Sequence, residues 1–116
     1  METRIYGFKQ ENIALKFLKK RGLKLIEQNY NTKLGEVDLI MREGNTIIFI
    51  EVRYRRSSAY GSACESVTYY KQQKIIKAST VYLQRNNLYD RVNIRFDIIA
   101  ISSDSIHPIE WVKNAF

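Results

Sequence analysis

Asp38 and Glu51 stand in two consecutive apolar-rich segments, Gly35-Glu36-Val37-Asp38-Leu39-Ile40 and Phe49-Ile50-Glu51-Val52-Arg53, with Gly44-Asn45 between them. Segments of this kind read as strands, here 36–43 and 46–54, and the Gly-Asn dipeptide suits a two-residue hairpin turn. If Glu43 pairs with Thr46, the register sets Asp38 directly opposite Glu51 and Glu36 opposite Arg53. Opposed side chains have Cβ atoms about 5 Å apart, a distance at which two carboxylates repel. Something positive must sit between them. One candidate is a divalent cation, Mg²⁺ or Mn²⁺, completed by waters and a phosphate oxygen. The other is Arg53, swung over to tie both acids into a surface ion-pair cluster. A three-residue loop at 43–45 would instead put Asp38 opposite Ile50, so the pairing depends on the turn.

A third acid comes from a helix. Over 8–21 the apolar positions Phe8, Ala14, Leu15 and Leu18 fall on one arc, opposite Lys9, Lys16 and Lys20, and Glu11 lies at the centre of that arc. An unpaired carboxylate there would cost several kcal/mol, so it requires a partner: the two strand acids, or a Lys or Arg at the helix edge. If this helix packs on the face that carries Asp38 and Glu51, three acids converge.

The elements that must hold these groups follow from the same patterns. Gly22 stops the first helix and 23–31 reads as a strand. The segment Ile47-Ile48-Phe49-Ile50 is apolar on both faces, which places its strand at the centre of the sheet. Residues 65–84 have the spacing of a second helix, with Val67, Ile75, Ala78, Val81 and Tyr82 inward and Asn86-Asn87 at its end. Residues 92–101 form a fourth strand and 108–111 a short fifth. The result is one α/β domain over 1–116, helices packed on a mixed sheet.

Charge is distributed unevenly. The chain of 116 residues carries a net +7, made of +5 over 1–34, −2 over 35–53, +6 over 54–95 and −2 over 96–116. An acidic island between basic flanks attracts a polyanion to the flanks and repels it at the centre unless cations neutralise the island. Arg55, Arg56, Lys71 and Lys74, with Lys77, are the candidates for phosphate contacts; a solvated basic face is the alternative. Tyr54, Tyr60, Tyr69 and Tyr70 are candidates for stacking on unpaired bases or for the edge of the core. Asp97 is expected to pair with a basic neighbour at the sheet edge. His107 and Cys64 receive no role, because neither has a companion at ligand or catalytic spacing. With a single Cys and no apolar run approaching the ~20 residues of a membrane span, the expected compartment is the cytoplasm, with no membrane partner.

Gly7 with Glu11, Gly35-Glu36-Val37-Asp38-Leu39-Ile40, Phe49-Ile50-Glu51-Val52-Arg53-Tyr54-Arg55, Lys71 and Arg95-Phe96-Asp97 follow one another in the order of a known family. The chain resembles the YraN family of bacterial proteins, a branch of the PD-(D/E)XK nuclease-like superfamily that is similar to archaeal Holliday-junction resolvases. The resemblance implies a restriction-endonuclease-like αβββαβ fold, Asp38 and Glu51 as metal ligands, and Glu11 as an accessory acid. It also implies a lysine at the position of Arg53, to steady the attacking water and the charge of the transition state. Arginine can offset phosphate charge there but stays protonated and cannot act as a base. The sequence therefore points to a nucleic-acid-binding protein, with DNA, branched or single-stranded, as the expected partner. Its Mg²⁺- or Mn²⁺-dependent endonuclease site would comprise Asp38, Glu51, Arg53 and Glu11, and the chain is compatible with a homodimer. Two alternatives stand beside this reading: a catalytically silent nucleic-acid-binding module of the same fold, and a protein-interaction domain whose acidic island takes a basic partner.

Overall fold

Alternation of apolar residues, broken by Gly22 and by the Gly44-Asn45 turn, produces the order of elements that the sequence anticipates. The computed structural model describes residues 2–55, 66–102 and 108–116. Helix α1 (Glu2–Lys20) ends where Gly22 takes φ +95°. Strands β1 (Lys24–Thr32), β2 (Gly35–Glu43) and β3 (Thr46–Arg55) form an antiparallel meander. Helix α2 (Tyr69–Arg85) then crosses to β4 (Asn93–Ser102), which lies parallel to β3, and β5 (Ile109–Val112) closes the far edge antiparallel to β4. The five strands follow the order β1-β2-β3-β4-β5, with β3 central. This is an α/β fold of restriction-endonuclease-like order, extended by β5. Among the described residues no helix is long and apolar enough to cross a membrane.

The two faces of the sheet have separate cores. On one, Ile47, Phe49, Ile98 and Ala100 pack against Ile75, Ala78, Tyr82 and Leu83 of α2. On the other, Ile48, Ile50, Ile99 and Ile101 pack against Ala14, Leu15 and Leu18 of α1. Both faces of β3 are thus covered, which accounts for its unbroken apolar run. Helix α2 starts later than its periodicity suggests, because Thr68 is extended (φ −66°, ψ 160°) and caps the helix by accepting the Lys71 N–H at 3.2 Å. Val67 is accordingly buried ahead of the helix, and the inward arc runs through Ser79 and Leu83, while Val81 is half-buried.

Gly35 fixes the distance between the meander and α2. A Cβ at this position would lie 2.4 Å from the Lys74 carbonyl oxygen, so the start of β2 touches the backbone of the helix.

Asp97 does pair with a basic neighbour, but not at the sheet edge, because β5 covers β4. It is fully buried and accepts two hydrogen bonds from Arg95, at 2.8 and 2.9 Å. Trp111 Nε1 and the Asn114 N–H complete its shell, each at 2.9 Å. Asp97→Ala should therefore destabilise the protein by about 3–5 kcal/mol, the usual cost of leaving the partner of a buried ion pair uncompensated. Chemical denaturation at constant slope measures this; a loss below about 1 kcal/mol would show that the cluster contributes little.

Candidate functional site

The two-residue turn sets the register: Glu43 pairs with Thr46 and the ladder continues to Leu39 opposite Ile50. The next positions are Asp38 and Glu51, where backbone pairing between β2 and β3 gives way to a side-chain contact. Asp38 Oδ2 accepts the Val52 N–H at 2.8 Å. On the other side of β2, Asn29 of β1 adopts φ 51°, and strand pairing passes from Gln28–Leu39 to Tyr30–Val37 without an Asn29–Asp38 pair. Val37 consequently joins the α2 core although Leu39, two residues on, belongs to the α1 core. Strict alternation, which would place both on one face, fails at Asp38. The sheet is open there, and Glu36 lies beside Asn31 rather than opposite Arg53.

Glu51 shares the face of Phe49 and so projects toward α2. Its side chain is 7% exposed and its Oε2 lies 3.8 Å from Lys71 Nζ, at the first turn of that helix. Burial first, then the charge of Asp38 and a hydrogen bond with it, push the Glu51 carboxyl up to about 9, against the opposing influence of Lys71 and Arg53. Near neutral pH the repulsion expected of two opposed carboxylates is thus relieved by a proton on Glu51. The cation beside it comes from α2, while the Arg53 guanidinium is turned to the Ser66 carbonyl, to which Nη2 donates at 2.9 Å.

Glu11 approaches from the other helix. Because α1 and α2 cover opposite faces, α1 does not pack on the face of Glu51, and the three acids do not meet on one surface. Glu11 instead faces the opening at Asp38. Burial, then the Asp38 charge, with Glu36 adding to them and an Asn29 hydrogen bond opposing, raises its carboxyl to about 7. Its Oε1 is buried without a hydrogen-bond partner. Among the described residues no group of three or more His, Cys, Asp or Glu side chains is close enough to hold a metal ion. Asp38 and Glu51 are adjacent, and two oxygen-donor groups whose charges oppose each other fit a hard divalent cation that keeps most of its waters.

Next to the acids a groove of about 610 Å³ runs between residues 31–36 of the meander and α2 from Tyr70 to Lys77. Lys71 and Lys74, both expected at a phosphate interface, line it. Arg55 does not: its Nη2 lies 3.2 Å from Glu110 of β5, and its side chain is 14% exposed. Arg56, Tyr60, Cys64 and His107 lie outside the described residues. Reading the sequence missed two contributors, the proximity of Lys71 to Glu51 and the contribution of Lys33 to the groove. The first was within reach of a topological argument, since a crossover that leaves the carboxyl end of a strand delivers the start of its helix to that end.

The state of Glu51 has a measurable consequence. Its folded value, about 9, is raised above the ordinary 4.5. Its contribution to stability is therefore complete below about pH 4.5 and is lost as pH rises toward 9. In metal-free buffer Glu51→Gln should remove this loss and be more stable than the parent at pH 8, by about 2 kcal/mol. Thermal melts across this range test it; a variant no more stable than the parent at pH 8 would contradict the burial of the Glu51 carboxyl described above.

The family model described as "Uncharacterised protein family UPF0102" matches residues 10–101. A UPF0102 protein of Legionella pneumophila (strain Corby) is 50% identical over 106 residues, covering 91% of this chain and 89% of the relative. One from Pseudomonas syringae pv. syringae is 46% identical over 112 residues, covering 95% and 91%. One from Stutzerimonas stutzeri is 42% identical over 116 residues, covering 99% and 97%.

Proposed function

This chain belongs to the uncharacterised protein family UPF0102, and from its acid site we propose that it binds nucleic acid, DNA in the first instance, and hydrolyses phosphodiesters with Mg²⁺ or Mn²⁺. The observation that carries the reading is the Asp38–Glu51 pair, in which the buried Glu51 carboxyl is pushed toward protonation, with Lys71 Nζ 3.8 Å from Glu51 at the mouth of a cationic groove. Asp38 and Glu51 would hold the cation, which when bound supplies Lewis acidity at a phosphodiester oxygen. Every other part falls to the chain itself. Lys71 and Arg53 bring positive charge to the side of Glu51 on which a phosphate must sit, and so favour the extra charge of the transition state. Lys74 holds the neighbouring phosphate, and Asp38, anchored by the Val52 N–H, keeps the acid pair oriented. Glu11, with a free buried oxygen and a carboxyl near neutrality, is suited to hold or release a proton at the opening beside Asp38.

A silent nucleic-acid-binding module is the second reading, favoured by arginine at position 53 and by its engagement with Ser66. Titration of Mg²⁺ and Mn²⁺ on branched, single-stranded and duplex DNA, with Asp38→Ala alongside, separates the two. Divalent-dependent product that vanishes in the variant supports the enzyme. Chelator-insensitive binding without product under either ion supports the module.

A further inference from the structure

We infer that the groove between the β1–β2 turn and α2 is a track for a single unpaired polynucleotide strand, which it delivers to the acid pair; this rests on the phosphodiesterase reading for its outcome but not for its binding. Four lysines line the groove, Lys33 from the turn and Lys71, Lys74 and Lys77 along α2, against one acid, Glu36. The excess calls for a polyanion. Its two ends are chemically different. Lys71 belongs both to the groove and to the acid site, because its Nζ is the cation 3.8 Å from Glu51, so a backbone followed along the lysines arrives at the carboxylates.

Size narrows the polyanion further. Gly35 abuts the Lys74 carbonyl, so the turn and the helix backbone meet directly at the groove wall. Pockets for small organic ligands span about 300–1,000 Å³, so 610 Å³ matches a nucleotide or two of one strand and is too small to take in the body of a duplex. The rim adds a feature that an unpaired strand uses and a paired one cannot. Tyr70 is 70% exposed, yet its ring is held by Lys74, whose Nζ lies 4.7 Å from the ring centroid. A base turned out of its stack can lie against such a ring, and stacking of this kind is indifferent to base identity.

Fluorescence anisotropy of the full chain in EDTA, with labelled oligothymidylate and with a duplex of equal length, tests the track. The single strand should bind more tightly by roughly tenfold. Tyr70→Ala should weaken it by roughly tenfold while leaving duplex affinity within about twofold, and Tyr70→Phe should restore it. Because Tyr70 is exposed, its loss does not threaten the fold, and a melt verifies this. An unchanged single-strand affinity in Tyr70→Ala, or an equal loss on the duplex, would overturn the track even if the protein cleaves DNA. A Tyr70-dependent preference in EDTA, with no cleavage when Mg²⁺ or Mn²⁺ is restored, would uphold the track and overturn the enzyme. Failure to bind either probe in EDTA would overturn the track and leave the enzyme to the divalent titration.

Discussion

Asp38→Ala should lower Mg²⁺- or Mn²⁺-dependent cleavage by roughly 10³-fold or more. Loss of a group that merely supports a metal ligand costs about 10–100-fold, and Asp38 is proposed as a ligand itself. The variant removes two things, the carboxylate beside Glu51 and the acceptor of the Val52 N–H. Leaving that N–H unpaired costs about 1–3 kcal/mol, offset by relief of the repulsion on Glu51. Asp38→Asn separates the effects, since its amide oxygen can still accept from Val52. It should melt near the parent without metal, lose cleavage like Asp38→Ala, and lose the rise in melting temperature that millimolar Mn²⁺ gives the parent through binding to the folded state. Cleavage that persists undiminished in both variants would place the site elsewhere or reveal a contaminating nuclease. A parent whose melting temperature ignores Mn²⁺ would remove the metal from the proposal.

Lys71→Ala should reduce single-turnover cleavage at saturating DNA by about 10²-fold, the scale of one lost donor to transition-state charge. The resemblance read from the sequence implies a lysine at position 53; the residue there is Arg53, which donates to Ser66, and the ammonium close to the acids belongs to α2. Lys71→Arg keeps the charge but brings a wider, planar group against Glu51, and should recover part of the rate. Arg53→Lys should stay within about tenfold of the parent. The split between rate and affinity is decisive, because Lys71 also lines the groove: a Lys71→Ala defect confined to affinity, with full rate at saturation, would make it a phosphate contact alone. A rate that depends on Arg53 and not on Lys71 would return the role to the strand.

Much of this arrangement could be read in the sequence, for physical reasons that particular residues make plain. Gly44-Asn45 defines a two-residue turn, and the register it imposes brings Asp38 to Glu51. The double-sided apolar run of β3 dictates its central place. The break at Asp38 was not legible, because it depends on Asn29 taking a left-handed conformation in a neighbouring strand, and strand periodicity has no term for that. The side from which α1 covers the sheet was not legible either. Apolar arcs state that a helix is covered but not which face of a two-sided sheet covers it, so Glu11 reaches Asp38 across the opening rather than joining Glu51. Arg55 illustrates a third limit: its partner Glu110 is distant in the chain, and no local pattern announces a pair across β3, β4 and β5.

The crossover between β3 and β4 also divides the site in time. Short turns close the meander, whereas Thr46 meets Asn93 only after the chain has passed through α2. Loop-closure entropy favours the hairpins early and the parallel pairing late. Asp38 and Glu51 both lie in the early part, Lys71 in the late part. In the unfolded chain Glu51 is in water with the acidity of an ordinary carboxylate, whereas the cover of α2 buries it. Closing the molecule over the acids is thus linked to the uptake of a proton, and becomes less favourable as the solution becomes more alkaline.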